Sequence, residues 1–198
     1  MTNALNLIAI DPGTTHSALV AMRYDPSADK PIDLTFINAE AENFVVRKAL
    51  YDTRERCTMK KDSRTGSGER VVVLIEKIVC YGMAIGSETI ETIEWIGSFK
   101  EVLRGHVDYH LMQRMRVKMA LCGSSRAKDG EIAQRLRDML GPPGTKKAPG
   151  VTYGVSKHAW QALALIMTHL IETKMFYPPE MQSCPTTRGH YVRSLANA

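Results

Sequence analysis

Four cysteines in 198 residues, Cys57, Cys80, Cys122 and Cys184, are too few and too scattered for a disulfide scaffold. None forms a C-x-x-C pair, so a zinc-finger pattern is excluded as well. Cys80 and Cys122 end apolar runs and are expected as buried free thiols, which favours a reducing compartment. Long hydrophobic runs are also missing: nothing approaches the roughly 20 apolar residues of a membrane span. The opening MTNALNLIAIDPG lacks the basic start and long apolar stretch of a secretory leader. A cytoplasmic protein with no membrane partner is expected. Nor does charge of one sign dominate. The 26 Lys+Arg against 21 Asp+Glu give +5, which admits nucleic acid, an anionic membrane surface or plain solubility without choosing among them. What is present is a globular composition, 44% hydrophobic and 24% charged. That excludes a wholly disordered or collagen-like chain, and the length suits one domain with or without a tail.

Apolar runs punctuated by turns set the organisation. Leu5 to Ile10 and Ser17 to Met22 read as two strands joined by a tight turn at Asp11-Pro12-Gly13. Residues 32–37 (IDLTFI) offer a third strand, and Asn43 to Leu50 opens a helix. Tyr51 to Arg70 reads as an exposed helix end and loop; from Arg47 to Arg70 eight Lys/Arg stand against four acids. Val71 to Ile75 is a buried central strand ending in Glu76. Ile90, Ile93, Ile96 and Phe99 recur at helical spacing within 85–103. Val117 to Leu121 reads as another short strand, and Ser124-Ser125 can cap a helix through Ile132, Leu136 and Met139. A Gly/Pro/Lys connector, 141–154, leads to a helix from Lys157 to about Thr173, stopped by Pro178-Pro179. No internal repeat is visible. The order β-β-β-α-β-α-β-α-α implies a mixed α/β sheet with helices on its faces.

Two acids terminate apolar strands. Asp11, followed by Gly13, Thr14 and Thr15, places a carboxylate at a sheet edge where the backbone can approach a ligand closely. The plainer reading is an Asp-Pro-Gly turn. Glu76 repeats the arrangement after VVVLI. A buried carboxylate costs several kcal/mol, roughly, unless paired or metal-bound, and two on neighbouring strands repel. A divalent cation with a preference for oxygen, Mg²⁺ or Mn²⁺, resolves that conflict and suits metal-assisted phosphodiester hydrolysis. The plainer reading of Glu76 is an ion pair with Lys77 or a nearby arginine. In SKHAWQALA, His158 and Gln161 lie three apart, on one helix face. A histidine near a helix start serves as a surface or capping residue, or as a metal ligand.

IAIDPGTTHSAL, VVVLIEKIVCYG and SKHAWQALALIMTHL, in that order, resemble the RuvC-type Holliday junction resolvases, especially compact phage versions, over roughly residues 5–175. The resemblance implies an RNase H-like domain over 1–176, a mixed five-stranded sheet with helices on both faces, and a poorly ordered tail over 177–198. It implies a homodimer that cleaves branched DNA, four-way junctions above all, with a Mg²⁺ or Mn²⁺ pair. Asp11 falls at the family's first-strand metal ligand, Glu76 at the central-strand ligand and His158 at a last-helix position that is Asp or His. Gln161 departs from the family, which has Asp there. Asp129, at a helix start, is the acid nominated to substitute, and a first-turn acid favourable to the helix dipole is the other reading of it.

Basic residues collect near these positions. Between residues 100 and 150 eleven Lys/Arg face five acids, an excess that suits phosphate binding. Lys118, Arg126 and Lys128 are the nominated DNA contacts, with Thr14 at the turn and Tyr81 able to stack on an opened base. Two other functions compete. One is an RNase H-like module that binds branched DNA but, with Gln161, cleaves it poorly. The other is a fragment of an actin-like ATPase, whose phosphate turn DPGTTHS resembles; that architecture needs two lobes, and no second Asp-x-Gly turn is present.

Overall fold

The computed structural model describes residues 4–62, 70–80, 82 and 84–178. Its centre is the pair of apolar runs that the sequence sets side by side. β1 (Leu5–Asp11) and β4 (Arg70–Lys77) run parallel, with Leu5 opposite Arg70 and Ile10 opposite Ile75. β2 (His16–Tyr24) turns back antiparallel to β1, and β3 (Ile32–Glu42) antiparallel to β2. β5 (Asp108–Gln113) adds a parallel edge strand beside β4, giving the order β3-β2-β1-β4-β5.

Strand periodicity of two then sorts the helices. Leu5, Leu7 and Ala9 of β1, with Val72 and Leu74 of β4, join the larger core cluster on one face. That face is covered by α3 (Arg114–Cys122), α4 (Asp129–Leu140) and α5 (Ala159–Glu172). Ile10, Val73 and Ile75 point to the other face, under α1 (Asn43–Asp62) and α2 (Ser87–Leu103). α5 is apolar nearly all round and buried along its length, as befits a helix held between the sheet and two neighbours. Between α4 and α5 a two-residue pair, β6 (Gly144–Thr145) and β7 (Ala148–Pro149), shapes the connector. The expected mixed five-stranded sheet with helices on both faces is therefore what forms.

Several expectations change. The helix expected to be capped by Ser124-Ser125 starts at Asp129 with Lys128 at its N-cap, and α5 starts after His158 with no side-chain cap from Ser156. The last sheet strand is Asp108–Gln113, and Val117 to Leu121 is helical. Val117, Ala120 and Leu121 are the buried residues of α3, the i, i+3, i+4 spacing of a helix face, among Met, Lys and Ala that favour helix. Gly123, at φ 67°, closes that helix in the left-handed region. DYHLMQ is an edge strand, mostly half-buried or exposed, so it carries too little apolar signal to stand out. The cysteines are free where described, but Cys80 is exposed in the loop after β4, and Cys122, the last residue of α3, is only half-buried at the edge of the core. The helix around Trp95 is amphipathic only in its second half: Ile96 and Phe99 are buried, while Ile90 and Ile93 are exposed. Tyr81 and the tail beyond Pro178 lie outside the described residues.

Candidate active site

Asp11 and Glu76 close two adjacent parallel strands, one residue beyond the Ile10–Ile75 pair. Both continue the alternation of Leu7, Ala9 and of Val72, Leu74, so both carboxylates face the side covered by α5. Their side chains are 12% and 14% exposed, at the C-terminal ends of parallel strands where α/β sheets hold ligands. Burial raises the Asp11 carboxyl above its ordinary range, opposed by the charges of Arg114 and His158. Glu76 is pushed up to about 7, first by burial and then by the charge of Asp11, with Arg114 pulling the other way.

Each acid has a partner. His158, immediately before α5, reaches Asp11 through Nδ1 at 3.1 Å and leaves its side chain 69% exposed. The residue before it, Lys157, has φ 45°, a left-handed conformation for a side-chain-bearing residue. Its Nζ reaches both Glu40 carboxylate oxygens on β3 at 2.8 Å. Arg114 forks across the other acids: Nη1 donates to Glu76 Oε2 at 3.0 Å and Nη2 to Asp129 Oδ1 at 2.5 Å. Burial pulls the guanidinium down, but Glu76 and Asp129 hold it above its usual value. Gln161, one turn along α5 from His158, is 6% exposed, and its Oε1 has no hydrogen-bond partner.

The turn that carries Asp11 is held from beneath by residues that sequence reasoning missed. Ser17 Oγ donates to Asn43 Oδ1 at 2.5 Å, and Asn43 Nδ2 donates to the carbonyls of Gly13 at 2.8 Å and Thr14 at 3.0 Å. Gly13 has no alternative there, because a Cβ would collide with the carbonyl oxygen of His16. Asn43 is 1% exposed, so truncation leaves buried carbonyls unpaired. Asn43→Ala should cost about 2 kcal/mol in denaturant unfolding; unchanged stability would show that the turn holds itself. The only sequence signal was an Asn directly ahead of an apolar helical stretch.

The structure thus gathers Asp11, Glu76, Asp129 and His158 as two linked pairings, Asp11 with His158 and Glu76 with Arg114 and Asp129. As the side chains stand, no three described His, Cys, Asp or Glu residues form a ready-made metal cage. The donor set nevertheless fits a hard cation: two buried carboxylates that repel each other, an imidazole and an orphaned amide oxygen. Of the nominated DNA contacts, Lys118 lies half-buried on α3, Thr14 is half-buried at the turn, and Arg126 and Lys128 are exposed before α4. The Lys128 N–H donates to Glu131 Oε2 at 2.5 Å, and Asp129 opens the helix with its side chain 63% exposed. Trp95 packs near Phe99, ring centres 6.0 Å apart, on the opposite face of the sheet from α5. No membrane-crossing helix occurs among the described residues.

No known protein-family model and no curated protein matches the chain. Solved structures do. Thermus thermophilus RuvC superposes with a TM-score of 0.56 over 86% of this chain and 96% of its own, at 20% identity. T. thermophilus RuvC in complex with Holliday junction substrate gives 0.56 over 86% and 95%, at 21% identity. The fold is therefore the RNase H-like fold of RuvC.

Proposed function

We propose that the chain is a divalent-metal-dependent endonuclease that hydrolyses branched DNA, four-way junctions foremost. The observation that carries this reading is the pair of nearly buried carboxylates, Asp11 and Glu76, at the ends of adjacent parallel strands on the face covered by α5. The shared fold with a RuvC that is bound to Holliday junction substrate supports the choice of DNA. Asp11 and Glu76 would hold Mg²⁺ or Mn²⁺, with His158 and Asp129 completing the set. When bound, the cation supplies charge stabilisation at the scissile phosphate and acidifies water.

The chain's own residues do the rest. Asp11 accepts from His158 when that nitrogen carries a proton, which orients an imidazole open to solvent for proton exchange. Lys118, Arg126 and Lys128 neutralise phosphates along the strand, and Thr14 borders the same end of the sheet. Junctions have two-fold character, and a homodimer would present two centres to it. Ile90 and Ile93, exposed one helical turn apart on α2, together with exposed Phe44 on α1, support such an interface. A DNA substrate and free thiols among the described residues support a cytoplasmic setting.

Gln161 favours one competing reading, a module that binds branched DNA and cleaves it poorly, since a buried neutral amide brings no charge to a cation. A labelled four-way junction and a linear duplex of the same sequence, each incubated with the protein and Mn²⁺, separate the possibilities. The junction should be cut and the duplex left whole. Equal nicking of both overturns structure selectivity, and junctions bound but uncut replace the nuclease by the binding module.

A further inference from the structure

Arg114 is out of place for a residue that merely opens a helix. It begins α3, where the helix dipole disfavours a cation, yet its guanidinium joins the strand-end acid Glu76, at 3.0 Å, to the helix-start acid Asp129, at 2.5 Å. It also lies close enough to Asp11 for the two charges to interact. The register of β5 makes this unavoidable: Met112 pairs with Glu76 and Gln113 with Lys77, so Arg114 emerges beside the same end of the sheet.

Charge then decides how many ions the centre takes. Asp11, Glu76 and Asp129 bring three negative charges when ionised, and Arg114 returns one positive charge. Two negative charges remain, which a single divalent cation neutralises. A second divalent cation would leave two surplus positive charges beside the nearly buried Asp11 and Glu76, and Gln161, one helical turn from His158, brings an amide oxygen but no charge. Glu76 Oε2 is already committed to Nη1, which leaves that carboxylate less able to bridge two ions. We infer that Arg114 is the resident second cation of the centre, so that the site holds one divalent metal and sets the guanidinium beside it against the scissile phosphate. A fixed guanidinium suits that task because it stays charged and its planar fork matches phosphate oxygens. This deepens the nuclease reading and rests on it.

Mn²⁺ binding to the full chain, followed by calorimetry and electron paramagnetic resonance, tests the inference without relying on turnover. The wild type should take up one Mn²⁺ per chain at the Asp11 site and show the spectrum of an isolated ion at saturation. Arg114→Lys, which keeps the charge, should also take one. Arg114→Gln combined with Gln161→Asp should take two and show a spin-coupled pair, provided its circular dichroism is that of the wild type. Two coupled ions in the wild type overturn the inference even if junctions are cut, as does a single ion in the folded double variant. No binding above that of Asp11→Asn removes both this inference and the metal site beneath it. One isolated ion without junction cleavage removes the nuclease reading alone and leaves the one-cation centre standing.

Discussion

Asp11→Asn should lower junction cleavage by at least about 10³-fold while leaving junction binding nearly unchanged. Asp11 is the nearly buried acid at the end of β1, in contact with His158 and next to Glu76 in the sheet. An amide keeps its shape and one hydrogen-bond acceptor but removes the charge that would hold a cation there. Losing metal stabilisation of the phosphate is worth several kcal/mol, and each 1.36 kcal/mol is a factor of ten in rate. Binding should be spared if, as proposed, Lys118, Arg126 and Lys128 neutralise the phosphates, because an acid that repels phosphate adds nothing to it. Single-turnover cleavage and equilibrium binding on the same junction check both halves. Cleavage equal to wild type would remove Asp11 from the reaction.

The metal-free protein should lose roughly 3 kcal/mol of stability through Glu76 as pH rises from about 4.5 to about 7, since one pH unit of displacement is worth 1.36 kcal/mol. The sign follows from proton binding. The folded state keeps Glu76 protonated over this interval while the unfolded chain has released the proton, so each step upward in pH favours unfolding. His169 acts oppositely. Burial, then the neighbouring His110, Arg70 and Arg116, lower it to about 4, so its contribution is present above pH 6.5 and is lost as pH falls toward 4. The two overlap, and the comparison that isolates Glu76 is wild type against Glu76→Gln in EDTA, with denaturant unfolding at pH 5 and pH 8. Because His169 offsets Glu76 in the wild type, the variant should gain more stability than the wild type between the two pH values, by about the Glu76 contribution. Saturating Mn²⁺ should narrow that difference, because binding to the ionised carboxylate favours the folded state. Parallel pH dependence of wild type and variant would show that Glu76 does not carry the strain.

Much of the sheet's centre was legible because β1 and β4 are continuous apolar runs that carry an acid at or near their ends. α5 was legible for the same reason, an unbroken apolar run, although it starts at Ala159 and Ser156 does not cap it. β5 was not, because an edge strand like DYHLMQ shares its residues between solvent and core, while RMRVKMALC has enough Val, Met and Leu to imitate a strand. That single displacement hid the role of Arg114, visible as one member of a basic zone but not as the partner of Glu76. Its place depends on the β4–β5 register. Asn43 was hidden by distance along the chain: its side-chain partners Gly13, Thr14 and Ser17 lie 26 to 30 residues away. Asp129 lay where expected, at a helix start, but with its carboxylate on Arg114.

The most direct measurement is an anomalous-difference map of crystals soaked in Mn²⁺. Manganese should contact both Asp11 and Glu76, with His158 still beside Asp11. Manganese absent from those carboxylates at saturating concentration, with Arg114 still bridging Glu76 and Asp129, would contradict the proposed metal site.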